Sequence, residues 1–171
     1  MNYFELFEIP VSMTVNIEQL AEQYRALQRQ FHPDNVAAES DAIKLQAMQQ
    51  TVEINSAYNT LKKPLARAEY LLVLQGIDLR GEQQTVKDTA FLMEQLEWRE
   101  EFDDLQKRPD EDDISAFQKR VKKYYQQYFG QLEQQISERL YEQAADTLRK
   151  LKFVQKMQEE LDKLEESLFD I

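Results

Sequence analysis

The sequence has no cysteine, and only three glycines, four prolines and one histidine in 171 residues. Without cysteine there is no disulfide, no thiolate-ligated zinc and no CxxC redox pair. One imidazole does not build a zinc site by itself. So little glycine and proline, beside abundant Gln, Glu, Leu, Lys and Ala, points to an all-α chain. The longest uninterrupted apolar and aromatic run, Tyr70 to Leu74, is far too short to span a bilayer. Basic charge is outweighed: 21 Lys and Arg face 32 Asp and Glu, a net of −11, which disfavours nucleic acid and anionic membrane as partners. The opening MNYFELFEIP has two glutamates and no basic segment before an apolar one, so no secretory signal is expected and the cytoplasm is the expected location.

What the chain does have is 42% hydrophobic residues, enough for a packed core, set at helical spacing. Asn16 with Gln19 three positions on reads as a capping box. Behind it Ile17, Leu20, Tyr24, Leu27 and Phe31 recur at steps of three and four, one expected buried stripe. A return helix from about Ser40 to Leu61 turns Ile54, Ala57, Tyr58 and Leu61 inward, making an antiparallel hairpin. Tyr3, Phe4, Leu6 and Phe7 suit a short helix across its base. Pro64 suits the first turn of a further helix through Leu65, Ala68, Leu71 and Leu72, stopping at Gly76.

Residues 1–75 therefore read as one domain and residues 76–86, with two of the three glycines, as a linker. Residues 87–171 read as a three-helix bundle. Its first helix runs from about Asp88 to Gln106 and is followed by Pro109. The second starts near Asp113 and turns Ile114, Phe117, Val121, Tyr124, Tyr128 and Leu132 inward. The third holds Ala144, Leu148, Leu151, Val154, Leu161 and Leu168. Short connections favour antiparallel packing of neighbours. Residues 1–75 carry a net charge of −3 and residues 76–171 a net of −8.

Two stretches stand out from this scaffold. The first is QRQFHPDN, where the hairpin's first helix runs into the only histidine. A plain helix stop is the simplest reading, because proline and histidine both suit a helix C-terminus. Yet Pro33 fixes its own φ and biases His32 away from helical dihedrals, so His32 and Asp34 are displayed at a rigid tip. Arg25 and Arg29 lie four apart on one face of the preceding helix. A basic stripe ending in a fixed imidazole and carboxylate is a docking surface for an acidic partner. An acid–base enzyme built on His32 and Asp34 lacks supporting groups: there is no second histidine, cysteine or phosphate-binding glycine loop. The acidic run Asp110 to Asp113 reads as a helix start rather than a metal site.

The second stretch is DTAFLMEQLEWREE. At about 100° per residue, Phe91, Gln95, Trp98, Phe102 and Leu105 share one stripe, the expected core face. Leu92, Met93 and Leu96 lie away from it, beside Glu97, Glu100, Asp103 and Asp104. An apolar anchor rimmed by acids suits a partner with basic residues. Packing against the rest of the chain is the competing explanation. Phe153, off the main stripe of the third helix, is a candidate extension of the patch.

YFELFEIP, QRQFHPD and INSAYNTLKKP together resemble a J domain, with Asn35 standing where many J domains place lysine. That resemblance implies that His32, Pro33 and Asp34, supported by Arg25 and Arg29, engage a DnaK-type chaperone and stimulate its ATPase. DTAFLMEQLEWREE, RVKK and AADTLRKLKF, with the layout of essentially the whole chain, resemble the HscB family of iron–sulfur co-chaperones. This implies a specialised, HscA-like chaperone partner. It also implies an IscU-like scaffold bound through Leu92, Met93, Leu96, Glu97, Glu100 and Phe153. Such a protein is an adaptor with no cofactor and no catalytic site, acting on the cluster carrier rather than on the cluster. The lack of a cysteine-rich N-terminal segment is expected of the bacterial type. The alternative is a J-domain adaptor that brings a different client to a general DnaK-type chaperone.

Overall fold

In a computed structural model, which describes residues 1–80 and 88–169, every regular element of the described residues is helical. Helix α1 (Tyr3–Leu6) opens with a reciprocated capping box between Asn2 and Glu5. It buries Phe4 and, just after it, Phe7. Tyr3 stacks on Tyr70 at 4.4 Å, and the Tyr70 hydroxyl accepts from the Tyr3 amide. Helix α2 (Ile17–Gln30) starts where Asn16 accepts from the Gln19 amide at 3.0 Å. The reciprocated box thus falls at Asn2, one element earlier than the sequence suggests.

Helix α3 (Asp41–Leu61), capped by Ser40, runs antiparallel to α2. The direction follows from the contacts: Tyr24 stacks on Tyr58 at 4.0 Å, while Phe31, further along α2, meets Thr51, further back on α3. Of the expected α2 stripe, Leu20 is fully buried and Tyr24, Leu27 and Phe31 are half-buried. Ile17 is 46% exposed, contrary to the stripe. Helix α4 (Pro64–Leu74) follows, and Gly76 at φ +85° closes its end. Arg67, almost fully buried, donates to the carbonyls of Leu61 (3.0 Å) and Met13 (2.7 Å), tying the end of α3 to the segment before α2. Nothing in the hydrophobic pattern announces this.

The second unit holds α5 (Thr89–Lys107), α6 (Glu111–Ser137) and α7 (Tyr141–Phe169). Each start has a side-chain reason where one is visible: Asp88 accepts from Phe91, and Asp110 accepts from Asp113. Asp110 to Asp113 is therefore a helix start, as read from the sequence. Glu101 of α5 pairs with Arg120 of α6, and Phe91 meets Tyr128, so α5 and α6 are antiparallel. Gln135 pairs with Thr147 and Gln118 with Asp162, so α6 and α7 are antiparallel too. Helices α5 and α7 run the same way, joined by Asp88–Lys150 and Arg99–Glu160.

The core of this bundle gathers Trp98, Phe102 and Leu105 of α5, Ile114, Phe117 and Val121 of α6, and Val154, Met157 and Leu161 of α7. Trp98 lies edge-on to Phe117 (5.9 Å) and Tyr124 (5.2 Å), contacts worth ~0.5–1.5 kcal/mol each beyond area burial. By contact density the chain divides into Met1–Gln75 and Gly76–Ile171. Of the expected linker, Gly76 to Arg80 is outside any helix, and residues 81–86 lie outside the described residues. No helix of the described residues is long and apolar enough to cross a membrane.

Candidate functional site

The tip of the α2–α3 hairpin is not a slack loop. Helix α2 ends at Gln30, and Phe31 donates back to Leu27. His32 is extended at φ −60° and ψ 137°, the conformation that a following proline enforces. Pro33 then opens a 3-10 turn, Pro33–Val36. Proline is at home there because the first helical position needs no amide hydrogen. The Asn35 amide donates to the His32 carbonyl at 2.9 Å, and the Asn35 side chain donates to the carbonyls of Arg29 (2.6 Å) and Gln30 (3.1 Å). Those are end-of-helix carbonyls with no partner inside α2. Asn35 thus clamps the turn onto the helix that precedes it.

Within the turn, His32 Nδ1 is 3.1 Å from the Asp34 amide nitrogen and 3.5 Å from Asp34 Oδ2. One nitrogen cannot accept from the amide and donate to the carboxylate together. The shorter contact is the amide's, so Nδ1 serves as the acceptor of the Asp34 N–H. His32 and Asp34 side chains are 57% and 90% exposed. Arg25, Gln28, Arg29, His32, Asp34 and Asn35 line one open groove. Neither Arg25 nor Arg29 is in an ion pair within the described residues, so both cations remain available to an acidic partner.

On α5 the second candidate surface separates as the angular argument requires. Phe91, Trp98, Phe102 and Leu105 are buried. Met93 and Leu96 are 56% and 61% exposed, and Glu97, Glu100, Asp103 and Asp104 are exposed beside them. Leu92 is half-buried and sits at the edge of this face. Phe153 is half-buried as well, with its ring against Phe91 (5.8 Å) and Trp98 (5.9 Å) and the Arg99 guanidinium 5.7 Å above it. It belongs to the bundle's aromatic cluster as much as to its surface.

Electrostatics anchor the start of α5. A hydrogen bond from the Lys150 ammonium, then one from the Phe91 amide, holds the Asp88 carboxyl below the usual carboxylate range. Hydrogen bonding to the Glu94 carboxylate, with burial second, pushes the Tyr124 hydroxyl up to about 12. Among the described residues no group of three or more His, Cys, Asp and Glu is placed to hold a metal ion.

Comparison with known proteins follows the same division. Residues 2–70 match the DnaJ domain family, and residues 87–162 match the family described as HSCB C-terminal oligomerisation domain. The chain is 50% identical over 171 residues to a co-chaperone protein HscB homolog of Aeromonas hydrophila, covering 99% of both. It is 46% identical over 170 residues to the homolog of Vibrio vulnificus, again covering 99% of both. The solved chaperone HscB from Vibrio cholerae superposes with a TM-score of 0.87 at 44% identity, over 98% of this chain and 99% of that one. The chain belongs to the HscB family of J-domain co-chaperones.

Proposed function

We propose that the chain is an adaptor of iron–sulfur cluster assembly that brings an IscU-like scaffold to a specialised, HscA-like DnaK-type chaperone and stimulates its ATPase. The observation that carries this reading is the clamped tip. His32 and Asp34 are exposed, held by a turn that Asn35 fastens, and flanked by the uncompensated Arg25 and Arg29. Polar groups already fixed in place lower the ordering cost of binding, and the unpaired cations beside them favour an acidic surface. In this reading residues 1–75 address the chaperone. The bundle, residues 87–171, addresses the scaffold through Leu92, Met93, Leu96, Glu97, Glu100 and Phe153.

Two exposed apolar side chains inside an acidic rim form a small anchor with a charge-selective border. The protein has no cysteine with which to ligate a cluster, so it acts on the carrier and does no chemistry itself. The cytoplasm, where cysteine-free chains need no oxidative maturation, is the proposed location. Titration of the full chain with purified scaffold, alongside a coupled ATPase assay on the chaperone, tests the reading. Scaffold binding and stimulation are both expected. Stimulation without scaffold binding would assign the protein to a different client.

A further inference from the structure

Helix α3 has a second face that the hairpin does not use. Its buried residues, Ala47, Ile54, Ala57 and Leu61, point toward the other helices of the unit. Nearly opposite them, at about 100° per residue, Leu45, Met48 and Val52 form a stripe at i, i+3 and i+7. They are 55%, 58% and 64% exposed. Gln49, Asn55, Ser56 and Asn59, which border the stripe along its side and toward the C-terminus of the helix, are uncharged, while the exposed Asp41 and Lys44 flank its N-terminal end. On an acidic protein this is the longest outward apolar row on one helix among the described residues. A polar residue at any of the three positions would leave the hairpin's own packing intact.

The stripe is continuous with the groove at the tip. Gln28, which lines that groove with Arg25 and Arg29, donates to the Tyr24 hydroxyl at 2.8 Å. That hydroxyl donates to Asn55 Oδ1 of α3 at 2.5 Å. Asn55 lies three and seven positions after Val52 and Met48, on the same side of the helix. A partner surface laid over the arginines and extended across Gln28, Tyr24 and Asn55 arrives on Val52 and Met48.

We propose that Leu45, Met48 and Val52 are the apolar half of the chaperone-docking surface, and that one DnaK-type partner covers both α2 and α3. The inference rests on the docking reading of the tip. The division of labour is physical. Arg25 and Arg29 steer an acidic patch and set the encounter rate, whereas desolvated apolar contacts hold the complex once formed. The partner this fits carries an apolar patch beside an acidic one.

The test is stimulation of the purified DnaK-type chaperone by the full chain carrying Leu45→Gln, Met48→Gln and Val52→Gln together. The half-saturating concentration should rise roughly tenfold, by the same factor at low and high salt, with the melting temperature unchanged. Arg25→Ala with Arg29→Ala should give a loss that shrinks as salt is added. Val52→Gln alone, the most exposed position, should shift half-saturation in the same direction by less. Unchanged half-saturation in the triple variant, while the unaltered chain stimulates normally, overturns the proposal. So does a self-association of the unaltered chain, seen by sedimentation, that the triple variant abolishes, because the stripe would then belong to a second copy. Failure of the unaltered chain to stimulate at all would instead remove the docking reading beneath it.

Discussion

The side-chain amide of Asn35 reaches back 2.6 Å to the carbonyl oxygen of Arg29, so the residue after the His-Pro-Asp triplet caps the helix before it. Asn35→Ala removes this bond and the one to Gln30, and the site is exposed, so the stability cost should be about 0.5–1 kcal/mol. Loss of the clamp should lower ATPase stimulation several-fold while scaffold binding stays intact. Asn35→Asp should be worse than alanine, because a carboxylate donates nothing and faces the negative end of α2. Equal stimulation by all three proteins would show that the turn holds its shape without the clamp.

On α5, exposure and burial separate function from stability within one helix. Met93→Ala with Leu96→Ala should leave thermal unfolding nearly unchanged and weaken scaffold binding by ~1–2 kcal/mol or more, tenfold or beyond. Phe102→Ala, at a position 7% exposed, should cost ~3–5 kcal/mol of stability. A leucine–methionine variant that melts early and binds normally would assign this face to internal packing.

The turn between α6 and α7 carries a removable strain. Arg139 stands at φ +61° and donates to Ile136, and Leu140 donates to Gln135, a helix ending in which glycine normally occupies the left-handed position. Arg139→Gly should therefore stabilise the protein by about 1 kcal/mol, read as a higher denaturation midpoint. A lower midpoint would mean that the arginine side chain contributes more than its backbone costs.

The Asp88–Lys150 contact makes stability depend on acid. The folded protein holds Asp88 deprotonated more firmly than the unfolded chain does. Its contribution is thus present above the unfolded value, ~3.9, and is lost as pH falls from there through the depressed folded value. Lys150→Met should flatten the acid limb of the melting curve against pH. Tyr124 has the opposite sign: its contribution is present below ~10 and is lost as pH rises toward about 12. Tyr124→Phe should flatten the alkaline limb only.

Much of this was legible because helical periodicity reports which way a side chain points. The split on α5 between Phe91, Trp98, Phe102, Leu105 and the exposed Met93 and Leu96 follows from angle alone. Periodicity does not report whether a neighbouring element reaches that far along the axis, and so Ile17 reads as buried yet is exposed. Arg67 was invisible because its acceptors at Leu61 and Met13 are carbonyls, one of them 54 residues away. Pro33 reads as a stop but also starts the 3-10 turn, a distinction that depends on where Asn35 finds acceptors. Phe153 lies off its helix's main stripe, but an aromatic ring is long enough to reach Phe91 and Trp98. The α3 row of Leu45, Met48 and Val52 is masked in the sequence because apolar residues on both sides of one helix blur its period, so the inner face of Ala47, Ile54, Ala57 and Leu61 does not stand apart from the outer one.

The most direct measurement is the ATPase rate of the purified DnaK-type chaperone with His32→Gln in place of the unaltered chain. His32 is mostly exposed and its one internal bond is to a neighbouring amide, so melting should move by no more than the equivalent of ~0.5 kcal/mol. Stimulation should be abolished while scaffold binding by the bundle is retained. Full stimulation by this variant, or its loss together with a large drop in melting temperature, would contradict the account and leave the triplet as an ordinary helix stop.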